Sequence, residues 1–147
     1  MANKILEFIY RFFPLFVFAN YPILLVYTFL WKKDLFLESL IVPAGVFLGI
    51  TLLRIIIREE RPYVRYGVAP VFEKDSKPDS MPSRHTASAF IIAMTMLQFN
   101  VWAGILYLLI AVMISVSRVC AGVHYVRDVI VGALIAILCG IVFLFLI

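Results

Sequence analysis

Charge is what this sequence has least of. Only 15% of its 147 residues are Asp, Glu, Lys or Arg, while 64% are hydrophobic, and the mean hydropathy is +1.04. A soluble domain carries about 25% charged residues, so that class is excluded first. Three stretches, 12–31, 86–117 and 129–147, hold no charge, and 39–57 holds only Arg54. A bilayer core of roughly 30 Å takes about 20 apolar residues per helix, so these are membrane segments. Cysteine is scarce too. Cys120 near a span edge and Cys139 in mid-span make no disulfide framework and read as small apolar fillers. The sequence has no His-Glu-x-x-His pattern and no dense carboxylate cluster. A metal centre fits poorly, and no cofactor is expected. Repeats and low-complexity tracts are missing. No cleavable signal peptide is expected, because the first apolar run is too long and no small-x-small site follows it.

The pattern predicts an all-α, integral-membrane bundle of about five transmembrane helices, forming one domain over 1–147. Residues 1–11, with Lys4, Glu7 and Arg11 among apolar neighbours, suit an interfacial amphipathic start. The first span, 12–31, is expected to be broken by Pro14 and Pro22. The second, 36–57, should run on until Pro62 stops it. The loop 62–82 is the only long one. As one helix, 86–117 would reach about 48 Å, too long for a bilayer. It must therefore fold back near Gln98-Phe99-Asn100. That hairpin brings residues 83–85 and 117–118 to one membrane edge, where the loop after Arg61 also arrives.

Three polar clusters meet there. Arg54 and Arg61 stand seven apart, about two helical turns, with Arg58 beside them. An arginine inside a span faces a partner or wet cavity, or snorkels to the interface. Met81-Pro82-Ser83-Arg84-His85-Thr86 opens a helix, which is either an anion site or an ordinary Ser cap with an exposed His. Between Ser117 and Asp128, His124 and Asp128 stand four apart, while Arg118 offers a planar donor fork. There the carboxylate either orients an imidazole as nucleophile or base, or balances a helix dipole. Taken singly, each cluster has an ordinary explanation. Together they hold both histidines of the chain and the ingredients for binding and attacking a tetrahedral oxyanion.

These residues resemble the type-2 phosphatidic acid phosphatase superfamily, which shares its cradle with vanadium haloperoxidases. That family carries a basic residue, six residues, then Arg-Pro; here Arg54 precedes Arg61-Pro62 at that spacing. Its Pro-Ser-Gly-His motif reads Pro82-Ser83-Arg84-His85. Its Ser-Arg, five residues, His, three residues, Asp motif reads Ser117-Arg118, His124, Asp128. The resemblance covers about 36–147. It implies metal-independent hydrolysis of a lipid phosphate or diphosphate. His124 would be the nucleophile, Asp128 its orienting carboxylate and His85 the acid and base. Arg54, Arg61, Ser83 and Arg118 would bind the phosphoryl oxygens. Two departures stand out. Arg54 replaces a Lys, and Arg84 replaces a Gly; Arg84 then either meets a second phosphate or headgroup, or faces solvent. The chain is also short for the family, so a homodimer is expected to cover its core.

The net charge is +4, but basic residues beside spans read as lipid headgroup or phosphate contacts, and no nucleic-acid partner is expected. Eleven of the thirteen basic residues fall on the site's side of the membrane, and only Lys32 and Lys33 on the other. The positive-inside rule would turn the site toward the cytoplasm; the resemblance implies the extracytoplasmic face of the cell membrane, and that orientation is retained. Phosphatidate, phosphatidylglycerophosphate, a polyprenyl diphosphate of the undecaprenyl type or a lipid A phosphate would each fit. The rivals are a non-catalytic phospholipid-binding or transport protein using the same cradle, a vanadate oxidoreductase and a purely structural bundle.

Overall fold

The computed structural model describes residues 2–72 and 79–146. In chain order it holds α1 (Ala2–Trp31), α2 (Lys33–Ile57), the short α3 (Pro62–Arg65), α4 (Arg84–Phe99), α5 (Val101–Cys120) and α6 (Val126–Gly140), which passes into a π-helical segment, Ile141–Leu146. Among the described residues there is no strand, only an isolated bridge between Glu60 and Asp79. The all-α membrane bundle read from the sequence is the fold. Residues 73–78 of the expected loop 62–82 lie outside the described residues.

The bundle is organised around α4. Ala87, Ala89, Phe90, Ile91, Ile92, Ala93 and Met94 are all buried, and α4 packs on α1, α2, α5 and α6. The surrounding helices turn large apolar residues outward, among them Leu15, Leu52, Leu106 and Leu138. Such a surface suits lipid rather than water. Four helical stretches are long and apolar enough to span: Lys4–Trp31, Lys33–Ile57, Val101–Cys120 and Val126–Leu146. The fifth expected span is α4 itself. Its 16 residues reach only about 24 Å, and its neighbours shield it. The turn falls where charge and spacing put it. α4 ends at Phe99, and Asn100 caps α5 by accepting from the Ala103 amide at 2.9 Å.

Three sequence expectations are corrected. α1 is not broken at Pro14 or Pro22 but continuous from Ala2 to Trp31. A proline costs one i→i−4 bond, and a membrane helix survives it if the freed carbonyl finds another donor. Pro14 frees the Tyr10 carbonyl, which accepts from Arg118 Nη2 at 3.2 Å. Pro43, inside α2, likewise frees the Ser39 carbonyl, which accepts from the Tyr21 hydroxyl. Second, α2 stops at Ile57, before Pro62. Arg58 takes a left-handed φ of 50° and its amide closes on the Arg54 carbonyl at 3.0 Å. Pro62 instead opens α3, where a missing N–H costs nothing. Third, Arg54 and Arg61 therefore do not share a helical face. Arg58 turns outward, its Nε donating to the Ile55 carbonyl.

Candidate active site

The polar clusters converge on one end of the bundle. His124 lies in the turn between α5 and α6, not on a helix; Gly122, at φ 72°, supplies the left-handed residue this turn needs. Asp128 stands at the third position of α6. Its Oδ2 accepts from the Tyr125 amide at 2.9 Å, capping the helix. The same oxygen lies 3.4 Å from His124 Nδ1 and also accepts from the Ser80 hydroxyl. Ser80 Oγ is in turn 3.3 Å from His124 Nδ1. Ser80, His124 and Asp128 are all buried, so three polar groups close on one another away from solvent. Asp128 Oδ1 has no hydrogen-bond partner among the described residues.

Ser83 is the N-cap residue of α4 and is buried, but its side chain does not cap the helix. Its hydroxyl accepts from Thr86 at 3.1 Å, and Thr86 accepts from Ser115 at 3.1 Å. The Ser83 amide donates to the Asp128 carbonyl at 3.0 Å, which locks the start of α4 onto α6. Gly132 makes that approach possible. A Cβ there would sit 2.9 Å from the Ser83 carbonyl oxygen. Arg84 and His85 follow in the first turn of α4, both partly buried. The His85 ring lies 6.0 Å from Phe18 of α1.

The arginines divide between two tasks. Arg54 donates from Nη1 to the carbonyls of Ser80 and Pro82, at 3.1 and 3.0 Å, and from Nη2 to that of Asp79. It braces the 79–82 segment, whose Met81–Pro82 bond is cis. Arg61 also reaches the Asp79 carbonyl, from Nε at 3.3 Å, while its buried Nη1 has no partner among the described residues. Burial pushes the Arg61 guanidinium below its ordinary pKa, partly offset by Tyr63 and Tyr10. Arg118, in the last turn of α5, stacks over the Tyr10 ring, with its Cζ 3.9 Å from the centroid. Its Nε is likewise buried and unpartnered among the described residues. Arg84 acts electrostatically on both Arg54 and Arg61, and Arg61 on Arg118. Four guanidinium groups thus gather at the end of the bundle that buries the His–Asp pair, with Arg54 in electrostatic reach of Asp128. Such a field favours a polyanion. Among the described residues, no group of three His, Cys, Asp or Glu side chains is placed to hold a metal ion.

A family model described as the PAP2 superfamily matches residues 35–147. The chain belongs to this superfamily. Among its relatives is the putative undecaprenyl-diphosphatase YbjG of Escherichia coli K12, 29% identical over 119 residues, which are 77% of this chain and 59% of that protein. The bacitracin transport permease protein BcrC of Bacillus licheniformis is 40% identical over 60 residues, 41% of this chain and 30% of that protein. The chain thus spans less than two thirds of either relative. Two crystal structures share the fold at 26% identity. LpxE of Aquifex aeolicus superposes with a TM-score of 0.70, covering 96% of this chain and 93% of its own. The PAP2-type phosphatidylglycerolphosphate phosphatase of Bacillus subtilis gives 0.69, covering 94% and 74%.

The eight expected site residues, Arg54, Arg61, Ser83, Arg84, His85, Arg118, His124 and Asp128, all lie at this end of the bundle. Reading the sequence missed Ser80 and Tyr10. Ser80 precedes the Pro82-Ser83 pair with no spacing rule to mark it, and Tyr10 lies outside the segment matched by the superfamily. For Tyr10 the available signal was Pro14, which frees a carbonyl four residues earlier.

Proposed function

We propose that this protein is a membrane-embedded lipid phosphatase that works through a phosphohistidine. One observation carries the reading: a buried imidazole held through Nδ1 by Asp128 and Ser80, at the end of the bundle where four arginines gather. With Nδ1 turned to these acceptors, His124 Nε2 is the attacking atom. It bonds to phosphorus while the bond to the lipid oxygen breaks. His85 gives its proton to the departing lipid alcohol or lipid monophosphate. Water then attacks the phosphohistidine, His85 takes a proton from it, and inorganic phosphate leaves. Asp128 stabilises the charge that His124 gains. Arg61, Arg118, Arg84 and Ser83 hold the phosphoryl oxygens as charge spreads over them, and Arg54 presents the 79–82 segment that carries Ser80. The reaction needs no metal.

The substrate has an apolar tail. A groove lined by Phe18, Tyr21, Pro43, Phe47, Ser88 and Ile92 opens between α1 and α2 over α4, and its Phe18 wall also touches His85. A tail in that groove would bring its phosphate to the site from the bilayer. The relative named as an undecaprenyl-diphosphatase supports a polyprenyl diphosphate, and the neighbour named as a phosphatidylglycerolphosphate phosphatase supports a glycerolipid monoester. The site faces the extracytoplasmic side, and a second copy of the chain helps to cover the core.

The test is phosphate release by purified protein in detergent with EDTA, against lipid mono- and diphosphates, with His124→Ala alongside. Turnover that survives EDTA and is lost in His124→Ala supports the proposal. The relative named as a transport permease favours a second reading, a cradle that binds without turnover. Vanadate binding with no phosphate release from any lipid would select it.

A further inference from the structure

α1 lies outside the segment that matches the superfamily, yet it enters the site twice. Phe18 meets His85, and Tyr10 meets Arg118 in two ways. The Tyr10 carbonyl accepts from Arg118 Nη2 at 3.2 Å, and the guanidinium Cζ lies over the Tyr10 ring, 3.9 Å from its centroid. The carbonyl is available because Pro14 has no N–H to give it. The ring is held in turn. It is buried with Ala121 and Val123 of the His124 turn, and Phe72 packs on it at 5.0 Å.

Arg118 needs such a hold. Its side chain has a long flexible stem, and a guanidinium works on phosphate as a planar fork whose orientation decides which oxygens it reaches. The ring fixes its plane, and the carbonyl fixes one edge. The buried Nε–H remains without a partner among the described residues. We propose that Tyr10, on the turn of α1 opened by Pro14, is a positioning residue for Arg118, so that α1 forms part of the phosphate cradle. The inference rests on the reading that Arg118 binds phosphoryl oxygens.

The experiment measures kcat, KM and orthovanadate inhibition for Tyr10→Leu, Tyr10→Phe, Pro14→Ala, Arg118→Ala and the Tyr10→Leu/Arg118→Ala double variant, with purified full-length protein in detergent. Tyr10→Leu removes the ring face and should weaken vanadate inhibition and kcat/KM by about 10-fold. Tyr10→Phe keeps both ring and carbonyl and should restore both to within about two-fold. Pro14→Ala returns an N–H that competes for the Tyr10 carbonyl and should cost about three-fold. The double variant should be no worse than Arg118→Ala, because Tyr10 acts only through that residue. Additive losses would overturn the inference, as would Tyr10→Leu and Pro14→Ala that both match wild type. If Tyr10→Leu does not fold, Pro14→Ala and Tyr10→Phe decide the matter alone. Arg118→Ala with unchanged vanadate inhibition would instead overturn the phosphate-binding role of Arg118.

Discussion

The two ends of the bundle treat buried polarity differently. At the far end a single amide ties three helical segments together: Gln98 Nε2 donates to the Leu144 carbonyl at 2.6 Å and to Glu38 at 3.2 Å. The other buried polar groups there are neutral too: Thr28 and Ser39 are buried, and the Tyr21 hydroxyl donates to the Ser39 carbonyl. The site end buries Arg54, Arg61, Arg118, His124, Asp128, Ser80 and Ser83. Part of this polarity is structural, as with Arg54 bracing three carbonyls. The rest exceeds what folding needs. Arg61 Nη1, Arg118 Nε and Asp128 Oδ1 are buried without partners among the described residues, and such groups cost stability. Among the described residues the far end buries no arginine, histidine or aspartate, whereas the site end buries three arginines and an Asp–His pair. The surplus is best explained by chemistry.

Substitutions at the two ends sharpen this contrast. Asp128→Asn should do the most. It leaves the shape intact but can no longer stabilise a charged His124, and kcat should fall about 1,000-fold in a phosphate-release assay. Ser80→Ala removes one of two groups holding His124 Nδ1 and strips a donor from Asp128. Its kcat should drop about 30-fold, with KM nearly unchanged. Gly132→Ala forces the added methyl against the Ser83 backbone. That should destabilise the fold by about 1.5 kcal/mol, read as lower thermal stability in detergent, with a smaller loss of activity. Gln98→Leu, at the far end, should cost about 1 kcal/mol of stability and leave kcat within about two-fold. A large loss of kcat in Gln98→Leu, or none in Asp128→Asn, would mean that the two ends do not divide folding from chemistry.

Much of this was legible in the sequence, for physical reasons. A charge-free run too long for one span dictates a hairpin, and the amide pair near its middle, Gln98 and Asn100, marks the turn. Both histidines and the arginines then fall on one edge whatever the details. Local geometry was less legible. Counting helical turns between Arg54 and Arg61 pointed to a shared face, yet Arg58 adopts a left-handed conformation that ends the helix first. The two arginines still meet, through the Asp79 carbonyl rather than along a helix. His124 and Asp128 likewise meet without a helix joining them. Ser80 and Tyr10 were not legible, because each acts through a contact distant in sequence that no local pattern encodes. Reading Pro14 and Pro22 as breaks overlooked that a bundle can offer a donor to a freed carbonyl, as Arg118 does for Tyr10.

In the proposed mechanism His124 takes the phosphoryl group. Its most direct test is to quench the enzyme during turnover of a lipid phosphate, digest it at pH above neutrality, where phosphohistidine survives, and examine the peptide 119–127 by mass spectrometry. A phosphoryl group on His124 in wild type, and none in His124→Ala, is the expected result. Rapid turnover with no phosphorylated 119–127 peptide would contradict this mechanism.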